Sequence, residues 1–334
     1  MIGTSTRPLS VLVLALLVAC SDDGSGSSAS GSGSSDDVAT QGESASESAS
    51  SSGESEASSS STDSESSESS ESDSSSSTDS DTSSSTDSDS SSESTETGVT
   101  ACAGACGSPG CSPCPDAPSV DIPGGYAMAS TEVTHAQYAQ FLAENFEPGF
   151  VAGWLPSACA FKTDFTPAMW DVDAPADLPV VQVDWCDAWA YCEWSGQHLC
   201  GAVGGGPTPL DQLDNPAMSQ WVRACTGGGT TIYPYGVSFA ADACNGMEAG
   251  FGQLLDAGSL AGCEGGYPGI FDMSGNVWEW ENACDDDPIL PGADQPCQVR
   301  GGSYFSIDVN LRCTTDIEQT RDFRNHHTGI RCCG

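Results

Sequence analysis

The sequence runs to 334 residues with a formal net charge of −40, and only eight residues are Lys or Arg. A surface that acidic repels phosphates and anionic headgroups, which excludes nucleic-acid binding through a basic patch. Seventeen cysteines at this length belong to an oxidising compartment.

Residues 1–20 read as an export signal. Arg7 supplies the positive start, and Leu9 to Val18 is an apolar run too short to span a bilayer. Leu17-Val18-Ala19-Cys20 resembles the bacterial lipobox, so Cys20 is the expected lipidation site. Several acyl chains anchor stably, at about 0.8 kcal/mol per buried CH₂. The expected location is the bacterial cell envelope, lipid-anchored, with the folded part extracytoplasmic. Ser21 points to the outer membrane under the enteric sorting rule. Setting Cys20 aside leaves sixteen cysteines, an even number suited to disulfides.

Residues 21–100 are almost wholly Ser, Asp, Glu, Gly and Thr, with no Lys or Arg. Such a chain buries too little apolar surface to offset its ordering entropy, so it reads as a disordered linker. Its charges repel one another, and its span as a spacer is on the order of 50 Å or more. Residues 101–116 form a connector with Cys102, Cys106, Cys111 and Cys114 among Gly and Pro. Either two small disulfides or bridges to the domain are expected there in preference to a zinc knuckle.

Residues 117–334 are enough for one sizeable core. Gly-rich sequence with few periodic helices predicts an α+β domain dominated by loops. Thr134 and Gln137 make a capping-box pattern, with Tyr138, Phe141 and Leu142 on one helical face. His135 is an exposed first-turn residue on this reading. Asp184 caps a second helix whose buried stripe is Trp185, Ala188, Trp189 and Cys192, and Ser195-Gly196 ends it. Asn215-Pro216 predicts the start of a third, with Met218, Trp221, Val222 and Cys225 on one side.

Gly269 to Trp280 is the most specific stretch. Trp278 and Trp280 alternate with Val277 and Glu279, a strand period. Glu279 is then either at the surface, or inward and in need of a partner or a cation. Asp285, Asp286 and Asp287 read as a solvated loop, and the adjacent His326-His327 are expected to diverge in direction, as neighbouring residues usually do, which disfavours shared ligation.

These blocks resemble, in order, those of the formylglycine-generating enzymes and other sulfatase-modifying factors. The matching segments are Glu132-Val133-Thr134, Pro179 to Trp185, Asp187 to Trp194, Trp221 with Cys225 to Gly228, Tyr233 to Gly236, Gly275 to Trp280, Arg300 to Tyr304, and Gly329 to Cys332. The resemblance runs from Tyr126 to Cys332 and implies a C-type-lectin-like fold. It implies a disulfide between Cys225 and Cys332; Cys284–Cys297 is expected as a local loop closure. It also implies a calcium site using Glu279, with Ser274, Gly275, Val277 and Asn245 as neighbouring oxygen donors.

Formylglycine generation oxidises a substrate cysteine with O₂ at copper held by two thiolates. The resemblance places the first thiolate at position 306, where this chain has Ser306, and the second near Val309 to Leu311, where no Cys stands. A hydroxyl is hard and protonated near neutral pH, so copper is not expected, and no catalytic residue is assigned. Asp316 stands where the family has Arg. The helical domain with which iron-dependent relatives bind metal is also missing.

The expected function is a membrane-anchored lipoprotein whose domain is a binding or structural module for an unidentified protein or small molecule. The alternative is an oxidoreductase of divergent mechanism acting on an exported peptide or small molecule.

Overall fold

The computed structural model describes residues 101–334. The export segment, Cys20 and the linker of residues 21–100 lie outside the described residues.

In chain order the elements are β1 (Ser119–Ile122), β2 (Tyr126–Ala129), α1 (His135–Leu142), α2 (Phe150–Trp154), α3 (Trp185–Trp194), β3 (His198–Leu199) and α4 (Gln220–Cys225). There follow β4 (Trp278–Cys284), β5 (Pro296–Arg300), β6 (Asp316–Thr320), β7 (Thr328–Gly329) and β8 (Cys332–Cys333). Two four-stranded sheets result, one in the order β1-β2-β8-β3 and the other β6-β5-β4-β7. Among the strand pairs of the described residues only β4–β7 is parallel, and an isolated Cys102–Phe146 bridge is parallel as well. Loops and single 3₁₀ turns fill the rest, as the α+β, loop-rich expectation required.

The helix starts follow their caps. The Gln137 N–H donates to Thr134 Oγ1 at 3.3 Å, and the Thr134 N–H to Gln137 Oε1 at 2.9 Å. Asp184 and Asp187 make the same reciprocal pair at 2.9 and 3.0 Å at the start of α3. The third helix starts later than expected. Asn215 accepts the N–H groups of Met218 and Ser219 in a separate turn, and α4 begins at Gln220 with Ser219 accepting the Val222 N–H. His135 is also not a bare surface residue, since its ring stacks on Trp170 at 3.9 Å.

Two apolar clusters form the core. Tyr138, Phe141, Trp185, Tyr191, Trp194, Trp278, Trp280 and Ile330 belong to one; Tyr126, Met128, Trp221, Val222, Ile270 and Met273 belong to the other. Eight disulfides tie the loops to this core and use all sixteen cysteines from Cys102 onward. The connector closes on itself through Cys102–Cys111 and Cys106–Cys114, and Cys284–Cys297 closes its loop as expected.

The expected Cys225–Cys332 bridge is replaced. Cys225 pairs with Cys313, and Cys332 pairs with Cys192. The reason is strand alternation. Cys332 and Cys333 are neighbours on β8, so they face opposite sides. Cys332 enters the first cluster beside α3, while Cys333 enters the second and takes Cys200. Cys225 lies in the second cluster, out of reach of Cys332 and next to Cys313.

Candidate functional site

The same alternation organises β4. Trp278 and Trp280 enter the first core cluster, while Glu279 and Glu281 project to the other side, and all four are buried. Each Glu meets an arginine. Arg331 Nε donates to both Glu279 oxygens at 2.9 Å, and Nη2 to Oε1 at 2.7 Å. The Trp221 indole N–H adds a bond to Oε2 at 2.6 Å. The remaining donors of Arg331 reach the Ala129 and Phe271 carbonyls at 3.0 and 2.8 Å. Burial pulls the Arg331 guanidinium down, and Glu279 more than restores it, so its pKa lies above the ordinary value. Glu281 accepts from Arg300 Nε at 2.5 Å and from the Thr208 and Ser219 hydroxyls at 3.0 and 2.8 Å.

This geometry selects the inward, paired reading of Glu279 and sets aside the surface and calcium readings. It is neither at the surface nor open to calcium, because arginine and indole donors occupy both of its oxygens. Calcium needs six to eight oxygen ligands, usually with free carboxylates among them. The other expected residues are tied into the surrounding hydrogen-bond network by their donor groups. Ser274 Oγ donates to the Leu311 carbonyl at 2.6 Å, the Gly275 N–H to Gly301, and Asn245 Nδ2 to Gln253 and Asn276. Val277 is fully buried in apolar packing beside Gly329. Asn245 Oδ1 and Glu132 Oε2 are buried without partners, yet among the described residues no three His, Cys, Asp or Glu side chains converge on a metal-sized point. These residues do not fit a calcium ion at Glu279.

Glu132 and Asp272 lie close to this centre. Burial raises the Glu132 carboxyl well above its ordinary value of 4.5, and neighbouring Asp272 adds to the rise. Glu132 Oε1 accepts from Asn276 Nδ2 at 2.9 Å.

Ser306 occupies a different corner. Its hydroxyl accepts the Ser303 N–H at 2.9 Å, its own N–H donates to the Ser303 carbonyl at 2.8 Å, and its carbonyl accepts the Met247 N–H at 2.9 Å. The hydroxyl therefore closes a tight turn and is 5 % exposed. Met247, Phe305, Ile307 and Val309 stand exposed near this turn in sequence or by contact. The Phe305 ring faces His326 and His327 edge-on at 5.7 and 5.9 Å. His327 is lowered by burial and then by His326, and its Nδ1 has no partner. No thiol is available to hold Cu(I) here, since every cysteine among the described residues is disulfide-bonded.

A site that the sequence reading missed lies between α3, β4 and the loop after β6. It is a cavity of about 580 Å³ lined by Trp185, Trp189, Asn282, Gln295 and Arg321, with prolines on its walls. Trp189, assigned above to a buried stripe, is half-buried and opens onto this cavity. The one signal in the sequence was scarcity: Arg321 is among only eight basic residues.

The sulfatase-modifying factor enzyme 1-like domain family matches residues 89–334. Inactive C-alpha-formylglycine-generating enzyme 2 of Mus musculus is 30% identical over 203 residues, covering 57% of this chain and 59% of that protein. Its Bos taurus counterpart is 29% identical over 194 residues, covering 54% and 58%. The formylglycine-generating enzyme of Streptomyces coelicolor is 27% identical over 190 residues, covering 48% and 54%. The chain thus spans less than two thirds of the length of these curated relatives. Among solved structures, the crystal structure of CarF aligns with a TM-score of 0.41 at 20% identity, covering 62% of this chain and 85% of that one.

Proposed function

Because the chain belongs to the sulfatase-modifying factor enzyme 1-like family over residues 89–334, we propose that it is a member that has kept the scaffold and lost the copper chemistry. On this reading it is a lipid-anchored, disulfide-rich binding or structural module. Cys20 carries the anchor, and residues 21–100 set the domain off the membrane.

The observation that carries the reading is the Ser306 turn. The side chain at the family's copper-thiolate position is a hydroxyl engaged in closing its own loop, and the nearby Cys313 is bridged to Cys225. Cu(I) prefers soft thiolate ligands, and none is free there. The similarity to relatives named as inactive supports the same reading.

The test is direct. The purified full chain is incubated with Cu(I), O₂ and a cysteine-containing peptide, and metal content, free thiols and aldehyde are measured. Neither stoichiometric copper nor aldehyde is expected. Copper-dependent aldehyde formation would overturn the reading. The anchor is tested separately by fatty-acid labelling, which Cys20→Ala abolishes.

A further inference from the structure

We propose that the cavity beside Trp189 and Arg321 is a binding site for a small organic carboxylate with a flat apolar body.

Arg321 is the exception among the enclosed arginines. Arg300, Arg324 and Arg331 each place all three guanidinium nitrogens on protein acceptors. Arg321 places only Nη2, which donates to Asp286 Oδ1 at 2.5 Å and Gln295 Oε1 at 3.0 Å. Its side chain is 2 % exposed, while its one carboxylate partner, Asp286, is 72 % exposed. Its Nε is buried with no acceptor, and among the described residues the only side-chain bonds of Arg321 are those from Nη2, so Nη1 has no acceptor either. A buried cation left with unpaired donors is unfavourable, and an anion in the adjoining cavity relieves that by neutralising the charge and accepting from Nη1, the unpaired nitrogen that is not fully enclosed. Burial lowers the Arg321 guanidinium, the reverse of Arg300 and Arg331.

The cavity is shaped for more than a bare anion. Its volume of about 580 Å³ lies within the usual range for small-molecule sites. The Arg321 guanidinium carbon lies over the Trp185 ring, 4.5 Å from its centre. Trp189, Pro156, Pro207 and Leu290 supply apolar wall. The Asn282 side-chain amide and the Trp189 indole N–H have no protein partner among the described residues, which leaves each available for a polar edge of the ligand. Asp286 on Nη2 already shows the chemistry this guanidinium takes.

The inference is independent of the loss of copper chemistry and of the anchor, because neither uses α3 or Arg321. Its failure would therefore leave the proposed function standing, and the reverse holds too.

The experiment is a titration of the full chain with sodium benzoate, its neutral isostere benzamide, and inorganic phosphate, followed by calorimetry and tryptophan fluorescence. Benzoate is expected to saturate with a dissociation constant of about 1 mM or tighter, with benzamide and phosphate at least about 10-fold weaker. Arg321→Lys is expected to weaken benzoate about 10-fold, because a point charge does not replace the planar fork. If that variant melts early, Trp189→Leu supplies the second test and must also weaken benzoate. Equal binding of benzoate and benzamide, equal binding of phosphate and benzoate, or no saturable binding would each overturn the proposal. So would benzoate binding unchanged in both variants.

Discussion

The Glu279 centre and the Ser306 turn both lie in blocks that resemble the same family, yet they have fared differently. At Glu279 the carboxylate, its arginine and the covering indole form a closed set in which every charged donor has an acceptor. At Ser306 the hydroxyl closes a backbone turn by accepting the Ser303 N–H, and on the reading proposed above it stands where the family has a thiolate. The difference teaches that a family's most recognisable residues can belong to its scaffold. The Trp-Glu-Trp-Glu run of β4 identifies the domain because the two Trp–core contacts and two Glu–Arg pairs assemble it. On the proposed reading, the reacting groups sit elsewhere and were lost without disturbing them.

The sharpest way to break this comparison is Glu279→Ala. Removing one partner of a buried pair leaves Arg331 uncompensated and costs about 3–5 kcal/mol, so denaturant unfolding should show a large loss or no folded protein. A near-neutral result would mean that the centre is not structural. Next comes the joint replacement Cys225→Ala with Cys313→Ala, expected to cost about 2–4 kcal/mol by the same measurement. Disulfide mapping of the parent chain should recover the Cys225–Cys313 peptide pair, and a Cys225–Cys332 pair would refute the β8 assignment.

Glu132→Gln has a smaller effect that depends on pH. Its carboxyl is raised in the folded state, so the native protein holds a proton that the unfolded chain has released. That contribution is complete below the ordinary value of 4.5 and is lost as pH rises through the raised one. The melting temperature of the parent should therefore fall relative to Glu132→Gln between acidic and neutral pH; parallel curves would show that the proton is absent. Ser306→Cys should change least. Stability should move by less than about 1 kcal/mol for so small a replacement. The copper-peptide assay should stay negative, because a single thiol does not make a thiolate pair.

Much of the scaffold was legible because its signals are local. Thr134 with Gln137 and Asp184 at the start of α3 announce their helices within four residues, and the Trp278–Trp280 alternation announces its strand. What was not legible depends on partners far apart in sequence. Glu279 finds Arg331 52 residues away, and nothing near Glu279 marks it as paired. The Cys225 bridge failed because the facing of Cys332 and Cys333 is decided by where β8 enters its sheet. The cavity draws its lining from five separate segments, and each residue had a sufficient local explanation. The early start assigned to α4 failed because Asn215 and Ser219 are both good caps, and only packing chose between them.

The adjacent cysteines of β8 carry a consequence for how the protein is made. Cys332 and Cys333 follow their partners by 140 and 133 residues. Until they are synthesised, Cys192 and Cys200 are free thiols eight positions apart, the same separation that the Cys106–Cys114 bridge spans. A local bridge between them is therefore within reach and would have to be undone by thiol–disulfide exchange. Correct oxidation thus reports that the strand carrying residues 332 and 333 has reached its place between β2 and β3. Maturation of the domain should accordingly depend on a disulfide isomerase more than on an oxidant alone.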